Sequence, residues 1–323
     1  MTSIKASVAT LLLFAGGAMA QQAIYSNGSA NPAVVALSTG SQTGSNVTAP
    51  NGGAWSELQS AAGVSNATGG FAAHVTGTGG AFRLADDFVV AANPGWRIDS
   101  ISLFAYQTGA AVNPFSGVNL RIWSGRPGDV GSTVVFGDTA TNRMTGASAT
   151  NLYRAFNTTV APPTTPDGTK QLWRLDVNTN HLFLTPGTYW LDWQITTSVA
   201  GGEAFCPSAT VAGVRTQAGW NARQFSTTLG WVDLIDAGKP STAPDLAQDL
   251  AFVITGFAGP QPCSPDYNGD GDIGTDADIE AFFRCIAGDC CATCAPADFN
   301  GDGDVGTDAD IEAFFRVLAG LPC

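Results

Sequence analysis

Acid–base groups are scarce over most of this chain. Of its 323 residues only 13% are charged, and ahead of residue 260 there are just two glutamates, Glu57 and Glu203, and two histidines, His74 and His181. No Gly-x-Ser-x-Gly elbow, His-Glu-x-x-His, Walker loop or dinucleotide fingerprint occurs, so those chemistries have no motif to rest on. A glycoside hydrolase needs two carboxylates facing each other across a cleft. Glu57, Asp86, Asp87, Asp192 and Glu203 are the available candidates, and none sits in a recognisable catalytic pattern. Long apolar runs are also missing: nothing approaches the roughly 20 residues that cross a bilayer, so no membrane insertion is expected. Residues 23–82 show no strong helical periodicity, and no strand–helix alternation follows them, which argues against a parallel α/β fold.

What charge there is lies at one end. Residues 260–323 carry 13 acidic side chains against Arg284 and Arg316, which is −11 of the total −13. So acidic a segment repels nucleic-acid phosphates and anionic membranes, whereas a divalent cation neutralises it. At the other end, Lys5, the apolar run Val8–Ala15 and the small residues Ala18-Met19-Ala20 read as an export signal (residues 1–20), with maturation at Gln21. The mature chain is therefore expected to be secreted or held at the cell surface. Cysteine placement agrees: Cys263, Cys285, Cys290, Cys291, Cys294 and Cys323 lie in the acidic tail, as in a disulfide-stapled module, and only Cys206 lies outside it. Six cysteines allow fifteen pairings, so no pairs follow from sequence. A zinc site on Cys290, Cys291 and Cys294 is the rival reading, weakened by the lack of a nearby His.

About ten short runs rich in β-branched and aromatic residues occupy residues 21–258, separated by Gly, Pro and Asn. Val118–Trp123 alternates cleanly, and Trp96–Tyr106 alternates after one phase slip. The expected fold is mainly β, an antiparallel β-sandwich of jelly-roll type. Trp55 is expected to dock from a turn. Trp190 and Trp193 fall on opposite faces of one strand, so one of them is a candidate exposed platform for a sugar ring. A Pro-containing linker, residues 259–265, leads to the tail.

The tail, residues 266–323, is written twice. DYNGDGDIGTDADIEAFFRCIAG (266–288) recurs 32 residues on as DFNGDGDVGTDADIEAFFRVLAG (298–320), with four differences. Each copy opens like a calcium loop, with oxygen donors Asp266, Asn268 and Asp270, a glycine at position 6, and Asp272 offering its backbone carbonyl. Asp298, Asn300, Asp302 and Asp304 repeat the set. Position 12, usually acidic, is Ala277 or Ala309, so the last ligand is expected from Asp276 or Asp278, and from Asp308 or Asp310; Asp278 and Asp310 are preferred, since one added residue makes a 13-residue loop that still delivers a carboxylate from the helix start. Asp278, three residues after Thr275, fits a helix capping box equally well. Ile279, Phe282, Phe283 and Ile286 then fall at helical spacing, as do Ile311, Phe314, Phe315 and Leu318, so each copy is expected to bury one apolar stripe on the other.

Paired loops of this kind, each followed by one short helix, resemble type I dockerins. The resemblance covers about the last sixty residues. It implies two bound calcium ions, docking onto a cohesin-like partner, and a role in attaching polysaccharide-degrading enzymes or sugar-binding modules to a scaffold or surface. By the same resemblance Thr275, Asp276, Thr307 and Asp308 face the partner. Two functions follow as expectations: an exported, non-catalytic β-sandwich, carbohydrate-binding or structural, anchored through the tail, or a secreted glycoside hydrolase anchored in the same way.

Overall fold

The computed structural model describes residues 22–58, 63–90, 95–258, 263–291, 294–295, 297–300 and 304–321. The export signal, Asp302, Cys323, residues 259–262 of the linker and the side chain of His181 lie outside the described part.

The chain is mainly β. In order, the strands are β1 (Gln22–Ser26), β2 (Ala54–Glu57), β3 (Phe71–Ala72), β4 (Phe82–Val90), β5 (Trp96–Ala105), β6 (Phe115–Trp123), β7 (Val134–Gly137) and β8 (Met144–Ala155). They continue with β9 (Gln171–Leu184), β10 (Gly187–Thr197), β11 (Phe205–Cys206), β12 (Arg223–Ser226), β13 (Gly230–Asp233), β14 (Ile235–Asp236), β15 (Leu246–Ala247) and β16 (Phe252–Ala258). Two helices, α1 (Asp276–Ile286) and α2 (Asp308–Leu318), close the chain.

Two curled six-stranded sheets carry the β part, in the orders β1-β16-β5-β9-β8-β2 and β13-β12-β4-β10-β6-β7. Strand periodicity decides what each buries. Leu84, Phe88 and Val90 on β4 and Leu191, Trp193 and Ile195 on β10 come from the second sheet. They meet Ile101, Leu103, Phe252 and Ile254 of the first in one core. Each such side chain contributes about 1.5–3 kcal/mol when fully buried. The phase slip in β5 is a bulge: its pairing with β9 shifts between Ile98 and Ser100, so Ile98 and Ile101 both point inward. β16 shifts register beside it, between Thr255 and Gly256. Only glycine fits there, because a Cβ on Gly256 would run into the Arg97 carbonyl oxygen.

Three expectations are corrected. The main sheets are not wholly antiparallel, since β2 pairs parallel to β8, Ala54 opposite Leu152. Trp55 docks from that strand rather than from a turn, packing edge-on against Tyr153. Trp190 and Trp193 do lie on opposite faces of β10, yet both are buried, at 4% and 1% exposure, so neither offers a platform.

Candidate metal centre

The two acidic copies fold as one unit with its own aromatic core. Tyr267, Phe282, Phe299 and Phe314 are fully buried, with Phe282 stacked on Phe314 at 4.1 Å and Tyr267 on Phe299 at 6.2 Å. The contacts come in symmetric pairs. Cys263 N donates to Phe299 O, and 32 residues on Ala295 N donates to Tyr267 O, both at 2.9 Å. Gly274 N donates to Pro265 O as Gly306 N does to Ala297 O, both at 3.0 Å. Gly274 lies against Leu318, and Gly306 against Ile286, so each loop rests on the other copy's helix. The apolar stripe is narrower than its spacing suggests: Phe283 and Phe315 face outward, 42% and 45% exposed, with ring centres 6.2 Å apart.

Each helix starts on a capping box, Thr275 with Asp278 and Thr307 with Asp310. Each ends on a glycine in the left-handed region, Gly288 and Gly320, where Asp289 N reaches back to Arg284 O and Leu321 N to Arg316 O. Cys285 on α1 is disulfide-bonded to Cys290 in the connector, Cys291 to Cys294 within it, and Cys263 is also in a disulfide. These bonds remove the zinc alternative, since the sulfurs that it requires are oxidised.

The candidate ligands divide into two groups. Asp278 is fully buried: Oδ1 accepts from Tyr267 N (2.7 Å) and Asn268 N (3.2 Å), and Oδ2 from Thr275 N (2.8 Å) and Thr275 Oγ1 (2.9 Å). Asp310 repeats all four contacts with Phe299, Asn300 and Thr307. These two carboxylates tie the start of each loop to the start of its helix. The remaining donors are half-buried or exposed. Asp266 Oδ1 accepts from Gly269 N (2.8 Å) and Asp270 N (3.1 Å), and its Oδ2 from Gly271 N (3.1 Å). Asn268 Nδ2 donates to Asp270 Oδ2 (2.9 Å), and Asp270 Oδ1 accepts from Asp272 N (2.9 Å). Thus Asp266, Asn268 and Asp270 turn hard oxygens toward one loop head. Asp272 is exposed, Asp276 and Asp308 are exposed at the first helical position, and Asp298, Asn300 and Asp304 stand at the matching places of the second loop. Burial together with repulsion from Asp278 and Asp270 raises the Asp266 carboxyl above its ordinary range.

Carboxylate and amide oxygens with backbone carbonyls suit calcium rather than a softer metal. Among the described residues no three or more His, Cys, Asp or Glu side chains are already gathered as a metal cluster. An ion would have to draw the loop head together.

In the β part three of the five hydrolase candidates, Glu57, Asp86 and Asp192, are buried and hydrogen-bonded within the fold. Asp192 is fully buried on the outer face of the second sheet. It accepts from Arg83 Nε (2.6 Å), Arg121 Nε (2.7 Å) and Trp123 Nε1 (3.1 Å). Asp87 points to the same outer face one rung away, diagonal to it across the β4–β10 pair. Glu57 is buried and accepts from Gly44 N and Thr158 Oγ1, and Asp86 is buried between the sheets. Glu203 is half-buried. His74 is buried edge-on to Phe82 and Phe205, and Cys206 is a free buried thiol. No described helix is long and apolar enough to cross a membrane.

Fold and site define a mainly β protein with a duplicated, disulfide-bonded helical tail. Comparison with protein-family models, with curated proteins and with solved structures gives no match for this chain.

Proposed function

We propose that this is an exported, non-catalytic β-sandwich protein whose dockerin-like tail binds two calcium ions and anchors it to a cohesin-like partner in a polysaccharide-rich setting. The observation that carries the reading is the paired latch: Asp278 and Asp310 close both loops identically, leaving the Asp266, Asn268 and Asp270 oxygens at the loop head. Those three, with the Asp272 carbonyl, hold the first ion; Asp298, Asn300, Asp302 and Asp304 hold the second. Asp276 and Asp308 stand beside them at the helix starts, where they are free to serve either the ion or the partner. Calcium supplies the positive charge that gathers these oxygens. The latches orient the loops, and the disulfides brace the connector that follows α1.

The non-catalytic half of the reading is supported by the fates of Glu57, Asp86 and Asp192, each buried and hydrogen-bonded within the fold. A glycan-retention assay run beside a reducing-sugar release assay separates the alternatives. Retention without release agrees with the proposal, and release of sugar establishes the hydrolase instead. Calorimetric titration should give two calcium ions per chain, and one after Asp266→Asn with Asp270→Asn in the first loop; no heat beyond dilution contradicts the calcium reading.

A further inference from the structure

We propose that Asp86 and Asp249 hold one proton between them and form a pH-sensitive clasp across the two sheets, tight while the proton is kept and weakened once it leaves. Asp86 sits in the inward phase of β4, between Leu84 and Phe88, and is completely buried. Its Oδ2 accepts from Asn27 Nδ2 and from Leu250 N, both at 2.7 Å, and its Oδ1 from Asp87 N at 2.9 Å. Asp249, just ahead of β16, is buried as well and accepts from Asn221 N at 2.7 Å, and the amide of the very next residue, Leu250, is the one that Asp86 holds. Two buried carboxyl groups placed this close repel each other when both are ionised, and keeping one proton between them relieves that repulsion. The contacts join the segment after β1, the segment leading into β16 and β4 of the opposite sheet.

Nothing nearby offers a replacement charge. Neither carboxyl takes part in an ion pair among the described residues. Tyr25 gives its hydroxyl proton to Asn27 Oδ1 at 2.8 Å, and Asp87 adds another negative charge. The Arg126 guanidinium acts on Asp87. Burial and the neighbouring carboxylates therefore favour the protonated form: Asp86 is raised well above its ordinary value, and Asp249 is pushed from 3.8 up to about 6.

The sign follows from linkage. The unfolded chain releases these protons near pH 4 and the folded chain later, so stability falls as pH climbs through the folded values and stays lower above them. A displacement of about two units corresponds to roughly a hundredfold change in the folding constant. All eight tryptophans precede residue 232, so tryptophan fluorescence of the full chain reports the β part without interference from the acidic tail. Thermal unfolding followed in this way should show a midpoint that drops between pH 4.5 and 9. Asp249→Asn, whose amide can donate to Asp86, should reduce that slope, leaving the part that burial of Asp86 sets. A flat midpoint in the unaltered protein, or an undiminished slope in the variant, overturns the proposal. Should the variant fail to fold, carboxyl-carbon NMR of the unaltered protein decides: an aspartate titrating well above pH 5 supports the clasp, and titration of every β-part aspartate below pH 5 refutes it.

Discussion

Replacing Thr275 by Val and Asp278 by Asn, singly and together, tests what holds each loop. The Thr275 hydroxyl lies 2.9 Å from Asp278 Oδ2, which is buried and also accepts from Thr275 N at 2.8 Å. A hydrogen bond to a buried charged group is worth about 1.5–3 kcal/mol, and a lost N-cap about 1 kcal/mol. Thr275→Val removes the hydroxyl alone and should cost about 1–2 kcal/mol. Asp278→Asn turns one accepting oxygen into an amide facing two donors and should cost about 3 kcal/mol. In the double variant the shared bond is counted once, so the coupling should be about 1–2 kcal/mol. Hydrogen exchange of the α1 amides, measured on the full chain in saturating calcium, gives all four free energies. Coupling within about 0.3 kcal/mol of zero would mean that Asp278 does its work elsewhere, on the metal, and the latch would be refuted.

Asp192→Asn leaves Arg83 and Arg121 facing one amide; urea unfolding followed by tryptophan fluorescence should lose about 3–5 kcal/mol, and a loss under about 1 kcal/mol contradicts the network. Phe282→Ala opens the shared ring core and should cost about 3–5 kcal/mol of α1 and α2 protection, while Phe283→Ala, on the exposed face, should change it by less than about 0.5 kcal/mol. Burial pushes the Asp310 carboxyl up, but hydrogen bonds from Thr307, Asn300 and Phe299 outweigh it and hold the group below 3.8. Its contribution is therefore present above pH 4 and is lost as pH falls through the lowered value, so α2 exchange, corrected for intrinsic rate, should accelerate in acid; a flat profile contradicts this.

Much of this molecule was legible where a local pattern mirrors a local cause. The slip in Trp96–Tyr106 is the bulge at Ile98–Ser100, and the alternation of Val118–Trp123 is the two-faced strand β6. The loops announced themselves through residue spacing, and the Thr275–Asp278 spacing announced the capping box. What was hidden depends on partners distant in sequence. Trp190 lies on the outer side of its sheet but is covered there, with the Arg126 guanidinium 5.6 Å from its ring centre. The parallel pairing of β2 with β8 joins residues about a hundred positions apart. The Asp86–Asp249 contact spans more than that, yet one signal was readable: an aspartate in the inward phase between Leu84 and Phe88, where an apolar residue would ordinarily sit. Phe283 and Phe315 show the converse, since helical spacing marks a stripe but not how much of it the partner helix covers.

The central claim is that calcium folds the tail around the latches. Hydrogen exchange of the full chain in saturating calcium and in chelator tests it most directly, with the peptides of α1 and α2 set against those of β4 and β10. Protection of both helices should rise by at least a hundredfold with calcium while the strands stay unchanged. Equal protection of α1 and α2 in the two conditions would contradict it.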